Sequence, residues 1–425
     1  MKTVLMIAYY FPPLGGAGVQ RTLKFVKYLP TFNYESIVLT PNSSFIRYKS
    51  FDNSLKEEIP KETKIYNTFI IDLNWIFKIL YGLKLKKLVN FINGRLIFPD
   101  YQKQWLPFAK RKIKHIIKKD KIDLVFITSP PYSTQLLGKW IKNKYNLPIV
   151  SDFRDPFTFN HEWKNRNYFN KCFKYEENLL NKCNIIIANT KGNKKKYIEK
   201  FNIPEKKIEV INNGFDEDDF KNIKVRKRQN RKIIFSHIGQ FYGDYNAMPF
   251  ILALNKIKNK LKNIELRFIG SLTQNDKKLI KKFGLSNFIK TVDYCSHKKA
   301  LQYNQESDFL LLIIPNENWN FWIPGKTFEY INSNKKILAI IPQNGSCAEI
   351  IRNTKTGVVV SPSNIDKIAK SILDFIEDYG NDDFDPDYEE IQKYDRKALT
   401  QQLALVFDNV LSNELLKTGN DEVMN

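Results

Sequence analysis

Two short stretches place acids and cations at spacings that can do chemistry. Ser151-Asp-Phe-Arg-Asp-Pro156 sets Asp152, Arg154 and Asp155 at the end of an apolar run. A carboxylate there can stabilise positive charge developing at carbon, and an arginine can hold phosphate. An internal Asp–Arg pair that braces the loop fits the same residues, and both readings stay open. Ile323-Pro-Gly-Lys-Thr-Phe-Glu-Tyr330 sets Pro and Gly before a helical pattern, with Lys326 and Thr327 in its first turn. Phosphate is favoured there by the lysine and by the free N–H groups of a helix start. Glu329 shares a helix face with Lys326 at i, i+3, and its carboxylate can accept both hydroxyls of a ribose. A surface Lys–Glu pair is the alternative. The placement after a strand and a Pro-Gly loop favours function.

Two further loops join strands to helices. Phe11-Pro-Pro-Leu-Gly-Gly-Ala-Gly18 leads into the amphipathic stretch Val19–Leu29. Glycine lets backbone approach a ligand closely. The spacing fits neither G-x-G-x-x-G nor a phosphate-binding Gly-Lys-Ser/Thr loop. In Thr128-Ser-Pro-Pro-Tyr-Ser133, before the helix Thr134–Lys144, the hydroxyls of Ser129 and Ser133 can contact a sugar or cap the helix. Capping is the stronger reading for Ser133.

The elements that must position these loops are apolar strands alternating with helices. One series reads at Thr3–Tyr9, Ser36–Thr40, Leu124–Thr128, Ile149–Phe153, Ile185–Ala188 and Ile208–Ile211. A second reads at Ile233–Ile238, Ile264–Ile269, Phe309–Ile314, Ile337–Ile341 and Val358–Val360. Continuous apolar strands separated by helices predict parallel sheets covered on both faces. Such sheets bind ligands outside the carboxyl ends of their strands. The polar stretch Asn212–Arg231 separates the series and reads as a linker. A strandless helical pattern follows from Tyr388 to Leu416.

The chain has 425 residues, enough for two or three domains of roughly 100–200 residues each. Hydrophobic residues make up 43% and charged residues 27%, which excludes a wholly disordered chain. Lys and Arg number 68 against 45 Asp and Glu, a net charge of +23 that calls for an anionic partner. Four cysteines and four scattered histidines show no zinc spacing and no disulfide framework, so a reducing cytosol is expected. The run Val4–Phe11 reads as a strand rather than a signal peptide, and no apolar stretch approaches the ~20 residues needed to cross a bilayer. Between Leu73 and Ile97, apolar residues at helical spacing accompany Lys78, Lys84, Lys86, Lys87 and Arg95, with no acid after Asp72 until Asp100. A basic amphipathic helix of this kind can lie on an anionic membrane. An ordinary core-facing helix is the alternative.

Taken together, these residues resemble a GT-B-fold glycosyltransferase of the family 4 type. The pieces that carry the resemblance are Tyr10-Phe-Pro-Pro-Leu-Gly-Gly-Ala-Gly-Val-Gln-Arg21, Thr128–Ser133, Asp152–Pro156, Val210-Ile-Asn-Asn-Gly-Phe-Asp216 and Pro324–Tyr330. It covers nearly the whole chain. It implies an α/β protein of two Rossmann-like, doubly wound domains facing across a cleft. Residues 1–212 would bind acceptor and 213–387 most of the nucleotide-sugar donor, with a helix in 388–425 crossing back to the first domain. The implied reaction is a retaining transfer that needs no metal and no cofactor, with a UDP-sugar or GDP-sugar as co-substrate. By position, Gly15 and Gly16 would approach the donor. Gly239, Lys326, Thr327, Glu329 and Glu349 would line its pocket. Asp155 would take the catalytic electrostatic role, with Asp152 orienting the loop and Arg154 beside them. Ser129, Tyr132, Ser133 and Asp100 would meet the acceptor.

Two departures from the family pattern stand out. The first acid of its E-x7-E pair falls on Phe321 here. The stretch His237-Ile-Gly-Gln-Phe-Tyr-Gly-Asp-Tyr245 lacks the Arg and Lys that often follow the first strand of the second domain. The diphosphate must then be neutralised by Lys326, Arg154 or backbone N–H groups. The implied setting is the cytoplasmic face of a membrane, with a lipid-linked or polysaccharide acceptor and an anionic membrane surface as a further partner. Nucleic acid is not expected as a partner. A sugar-nucleotide epimerase on the same fold, or a non-catalytic basic module binding membrane or nucleic acid, are the alternatives.

Overall fold

The computed structural model describes residues 1–46, 51–71, 97–159, 166–221, 232–380 and 383–423, with a few isolated positions between them. Lys84, Lys86, Lys87 and nearly all of the expected basic helix Leu73–Ile97 lie outside the described residues, as do positions 226–231 of the expected linker. The chain divides into two compact units, Met1–Asn212 with Leu399–Asn425, and Asn213–Ala398.

Among the described residues, the first unit holds seven parallel strands: β1 (Lys2–Ile7), β2 (Tyr34–Pro41), β3 (Lys64–Thr68), β4 (Leu124–Ser129), β5 (Ile149–Phe153), β6 (Ile185–Ala188) and β7 (Ile208–Val210). Their order is β3-β2-β1-β4-β5-β6-β7. Side chains alternate between faces along a strand, so β1 feeds two cores. Leu5 and Ile7 pack with Val125, Ile127, Trp105 and Ile113 of the helix Leu106–Lys119. Val4 and Met6 pack with Phe25 of the helix Ala17–Tyr28 and with Leu403 and Phe407 of the helix Arg396–Val423. The last helix is also tied by Asp408, which takes Lys2 at 2.7 Å and the Tyr34 hydroxyl at 2.8 Å.

The second unit holds β8 (Ile233–Ile238), β9 (Ile264–Ile269), β10 (Ile289–Val292), β11 (Phe309–Ile313), β12 (Lys336–Ile340) and β13 (Gly357–Val360). Among the described residues these form one parallel sheet in the order β10-β9-β8-β11-β12-β13. One core spans it and includes Phe215 and Ile391. The second unit therefore runs past residue 387 to Ala398. The tail expected as one helical stretch is two helices, Tyr388–Gln392 and Arg396–Val423. Two strands, β3 and β10, were not expected from the sequence, and each lies at a sheet edge. Their residues are mostly half-exposed or exposed, so they lack the apolar run that marks a central strand.

Candidate active site

In the first unit, Asp152 and Arg154 at the end of β5 are held by protein groups, and not by each other. Asp152 is fully buried, and its partner is Arg21 of the first helix, not Arg154. Arg21 Nε donates to Asp152 Oδ2 at 3.0 Å and Nη2 to Oδ1 at 2.8 Å, while the Thr128 hydroxyl donates to Oδ2 at 2.8 Å. Arg21 also donates to the carbonyls of Ile211 and Asn212 at 2.9 and 2.7 Å. A buried pair survives only with this fork geometry and filled lone pairs. Arg154 donates through its three nitrogens to the carbonyls of Ser129 (3.0 Å), Gly18 (2.7 Å) and Pro130 (2.7 Å). Burial lowers its proton affinity. Its guanidinium laces three loops together, which fits the bracing alternative of the sequence reading. A Cβ on Gly18 would come within 2.8 Å of Arg154 Nη1, so glycine there leaves room for the guanidinium. Asp155 follows, half-buried, just beyond the end of β5.

The residues assigned to the acceptor behave similarly. The Ser129 hydroxyl donates to the Asp152 carbonyl at 3.3 Å and accepts from Gln135 Nε2 at 3.1 Å. Ser133 gives its N–H and hydroxyl to Asp100, at 2.9 and 2.6 Å. Burial raises the Asp100 carboxyl, and these hydrogen bonds pull it back down. Ser133 therefore does not cap the helix Gln135–Tyr145, and neither serine hydroxyl is spare for a sugar. Tyr132 is buried against Phe157, ring centres 4.6 Å apart. Gly15 is buried, and Gly16 caps the helix Ala17–Tyr28 with φ 98°, a backbone that favours glycine.

In the second unit, Lys326 opens the short helix Lys326–Ile331. Its Nζ lies 2.8 Å from His237 Nε2 and 3.3 Å from the Tyr245 hydroxyl. His237 Nδ1 sits 2.9 Å from the Leu311 carbonyl, which can only accept, so Nδ1 carries the proton and Nε2 accepts from the lysine. Burial and the nearby ammonium push His237 well below its ordinary value, which keeps the ring neutral. Burial likewise pulls Lys326 down from 10.5 to about 7. Gly239, with φ +133°, directly follows β8, and a Cβ there would run into Lys326 Nζ. Glycine at 239 makes room for the lysine. A second glycine, Gly270 at the end of β9, is required because a Cβ would meet the Gly239 carbonyl oxygen at 2.7 Å.

Glu329 lies close by and is held by His297, Oε1 to Nε2 at 2.9 Å. Thr327 is fully buried, with its hydroxyl 3.6 Å from Cys347 Sγ, so its expected donor contact is corrected to core packing. Glu349 stands half-buried in the first turn of the helix Ser346–Asn353. The structure thus brings together Gly239 and Lys326, with Glu329 one helical turn from Lys326. It adds His237, Tyr245 and His297, which the sequence reading had not selected. A polar residue inside the apolar run Ile233–Ile238 was the one available signal for His237. Nothing local marks His297. Two of the three Lys326 donors are occupied by neutral groups, which leaves one for an anion.

Comparison with known proteins fits this division. Residues 18–219 match Glycosyltransferase Family 4 and residues 218–398 match Glycosyl transferases group 1. No curated protein gives a significant sequence match. Among solved structures, a glycosyltransferase from Rickettsia africae is 19% identical with a TM-score of 0.66, covering 97% of this chain and 99% of that one. HepE of Anabaena, in complex with UDP and glucose, is 15% identical with a TM-score of 0.67, covering 96% of this chain and 100% of its own. TarM of S. aureus, in complex with UDP and α-GlcNAc-glycerol among other ligands, is 14% identical with a TM-score of 0.61, covering 96% and 100%. Since the two family matches run on from one another through residues 18–398, and the similar structures share its fold along nearly the whole chain, the chain belongs to the GT-B glycosyltransferases of the family 4 type.

Proposed function

We propose that the chain is a retaining, metal-independent glycosyltransferase that moves a sugar from a UDP- or GDP-sugar to a lipid-linked or polysaccharide acceptor at the cytoplasmic face of a membrane. The observation that carries the donor reading is Lys326, set at the strand ends against His237 and Tyr245 with no carboxylate among its hydrogen-bond partners in the described residues. A diphosphate supplies the negative charge that this cation lacks. Glu329, one turn on, receives the ribose hydroxyls. The UDP held by HepE is the ligand chemistry this site calls for.

The reaction breaks the bond between sugar C1 and the diphosphate oxygen and forms one between C1 and an acceptor oxygen on the same face. The acceptor proton passes to a departing diphosphate oxygen. Lys326 offsets the charge that develops on that leaving group, and Asp155 offsets the positive charge at C1. The membrane setting is supported by the helix Leu106–Lys119, whose six lysines and arginines have no acid among them. Phe45 and Phe69, stacked edge-on at 4.7 Å, and Ile71 are exposed apolar side chains of the same unit. Such a surface suits anionic lipid.

The test is calorimetric titration with UDP and GDP, followed by turnover of their sugars with and without EDTA. Anomeric configuration of the product is read by NMR. Failure to bind either nucleotide removes the reading. Conversion of the donor sugar without transfer would assign the chain to the epimerases. Co-sedimentation with phosphatidylglycerol but not phosphatidylcholine vesicles is expected, and equal behaviour with both removes the membrane setting.

A further inference from the structure

The segment that follows Asp155 is gripped by a carboxylate outside the proposed chemistry. Glu176 lies within the helix Arg166–Lys182 and is fully buried. Its Oε1 accepts the Phe157 N–H at 2.9 Å and its Oε2 the Thr158 N–H at 2.8 Å. Those two amides come immediately after Asp155-Pro156. On the other side of Asp155, Arg154 is tied to the Ser129 carbonyl through both its N–H and its Nε, at 3.3 and 3.0 Å. Asp155 therefore sits between two anchors. Tyr175, next to Glu176, donates its hydroxyl to the Tyr132 carbonyl at 3.1 Å, so one turn of this helix holds the loops after both β4 and β5.

The surroundings make the carboxylate an unusual choice. Tyr132, Phe157 and Cys172 form a buried apolar cluster here, with Phe98, Tyr168 and Tyr175 packed against it. Burial pushes the Glu176 carboxyl upward, and only hydrogen bonds from the 157–158 segment oppose the shift. A carboxyl group so placed costs folding free energy. What it gains is local: two hydrogen bonds fix two consecutive amides.

We infer that Glu176 is a positioning residue for sugar transfer: by clamping the amides of Phe157 and Thr158 it fixes the Asp155 carboxylate at the end of β5. The inference rests on the reading of the Asp155 loop as part of the active site. Glu176 acts through the backbone and touches no substrate.

Glu176→Gln in the full-length chain tests this. Glutamine keeps the size and one acceptor but turns an NH2 group toward the second amide. Hydrogen exchange at Phe157 and Thr158 is expected to quicken at least tenfold. The turnover number with UDP-glucose or GDP-mannose, whichever the wild type hydrolyses, should fall at least tenfold with KM within twofold. The loss of turnover should exceed any loss of stability, and UDP affinity should stay within twofold. Wild-type exchange and wild-type turnover in the variant would overturn the inference. So would a turnover loss matched by equal losses of stability and UDP affinity, which marks a purely structural residue. A wild-type chain that hydrolyses neither donor defeats the functional reading instead, and the exchange rates then judge the anchor by themselves.

Discussion

Arg21 and Asp152 in the first unit are wholly withdrawn from water and hold each other through two hydrogen bonds, whereas Lys326 in the second meets a neutral imidazole and a phenol. Both sit at the carboxyl ends of parallel strands, where such folds bind ligands. In the first unit every nitrogen of Arg154 also ends on a carbonyl. Charge there is architecture, closing the loops into one shape. In the second, among the described residues, the cation has no counter-charge in hydrogen-bonding contact. A half-buried cation whose hydrogen-bond partners are neutral is poised for an anion from outside, since the anion restores the solvation that partial burial removed. Position at a strand end does not separate structural charge from ligand-binding charge. The identity of the partner does.

The sharpest way to break this contrast is to remove one member of each set. Asp152→Ala strands Arg21 in the core and is expected to cost about 3–5 kcal/mol, read by urea unfolding. A loss near zero would mean that the pair does not brace the unit. Lys326→Met is expected to do the opposite. Its UDP affinity should fall roughly 10–100-fold, the worth of a hydrogen bond to a charged group, while stability at neutral pH holds or rises. Equal losses of stability and affinity in this variant would put Lys326 in the same class as Arg21.

How far the sequence reveals this contrast follows from what local patterns encode. Central strands such as β4 and β5 are buried at every position, and their apolar runs are visible as such. The edge strands β3 and β10 are not, because one flank has no neighbour to bury it. The motifs fall at strand ends because glycine, proline and charge interrupt the apolar runs there. Which polar group turns inward is a different matter. Asp152 and Asp155 are three residues apart and chemically alike, yet one is sealed by Arg21, 131 residues earlier. Ser133 and Asp100 meet across 33 residues, and Lys326 and His237 across 89. Contacts of this range leave no trace in spacing, so the hydroxyls read as sugar contacts turned out to be loop fastenings.

A gentler probe of the lysine is pH. Lys326 is drawn from 10.5 to about 7, so its charged form is lost as pH rises through neutrality. In the proposed donor site, UDP pairs with that form. Affinity is expected to decline above pH 7, by at most about tenfold per unit for one coupled proton. At pH 8 binding should take up a proton, seen as a dependence of the calorimetric heat on the buffer's ionisation enthalpy. Stability moves the other way. Between about 7 and 10.5 the unfolded chain binds the proton and the folded one does not, so this group favours the fold as pH rises through that window and disfavours it as pH falls. Lys326→Met should flatten both trends. Unchanged profiles in the variant would assign the titration to another group.

The smallest expected effect tests whether Glu329 belongs with the binding charges or with the bracing ones. Its partner His297 is about as exposed as it is, with side-chain exposures of 25% and 24%, so the pair is only partly shielded from water. Pairs of this kind are worth about 0.2–1 kcal/mol. His297→Ala should therefore shift stability by no more than about 1 kcal/mol. If Glu329 receives ribose hydroxyls, the histidine aims its carboxylate, and the variant should lose UDP affinity by up to about fivefold, the equivalent of the same energy. Inorganic pyrophosphate, which has no ribose, should bind as before, because Lys326 is untouched. A parallel loss for pyrophosphate would show that His297 acts on the phosphate side of the site, and would move Glu329 from the nucleoside to the lysine.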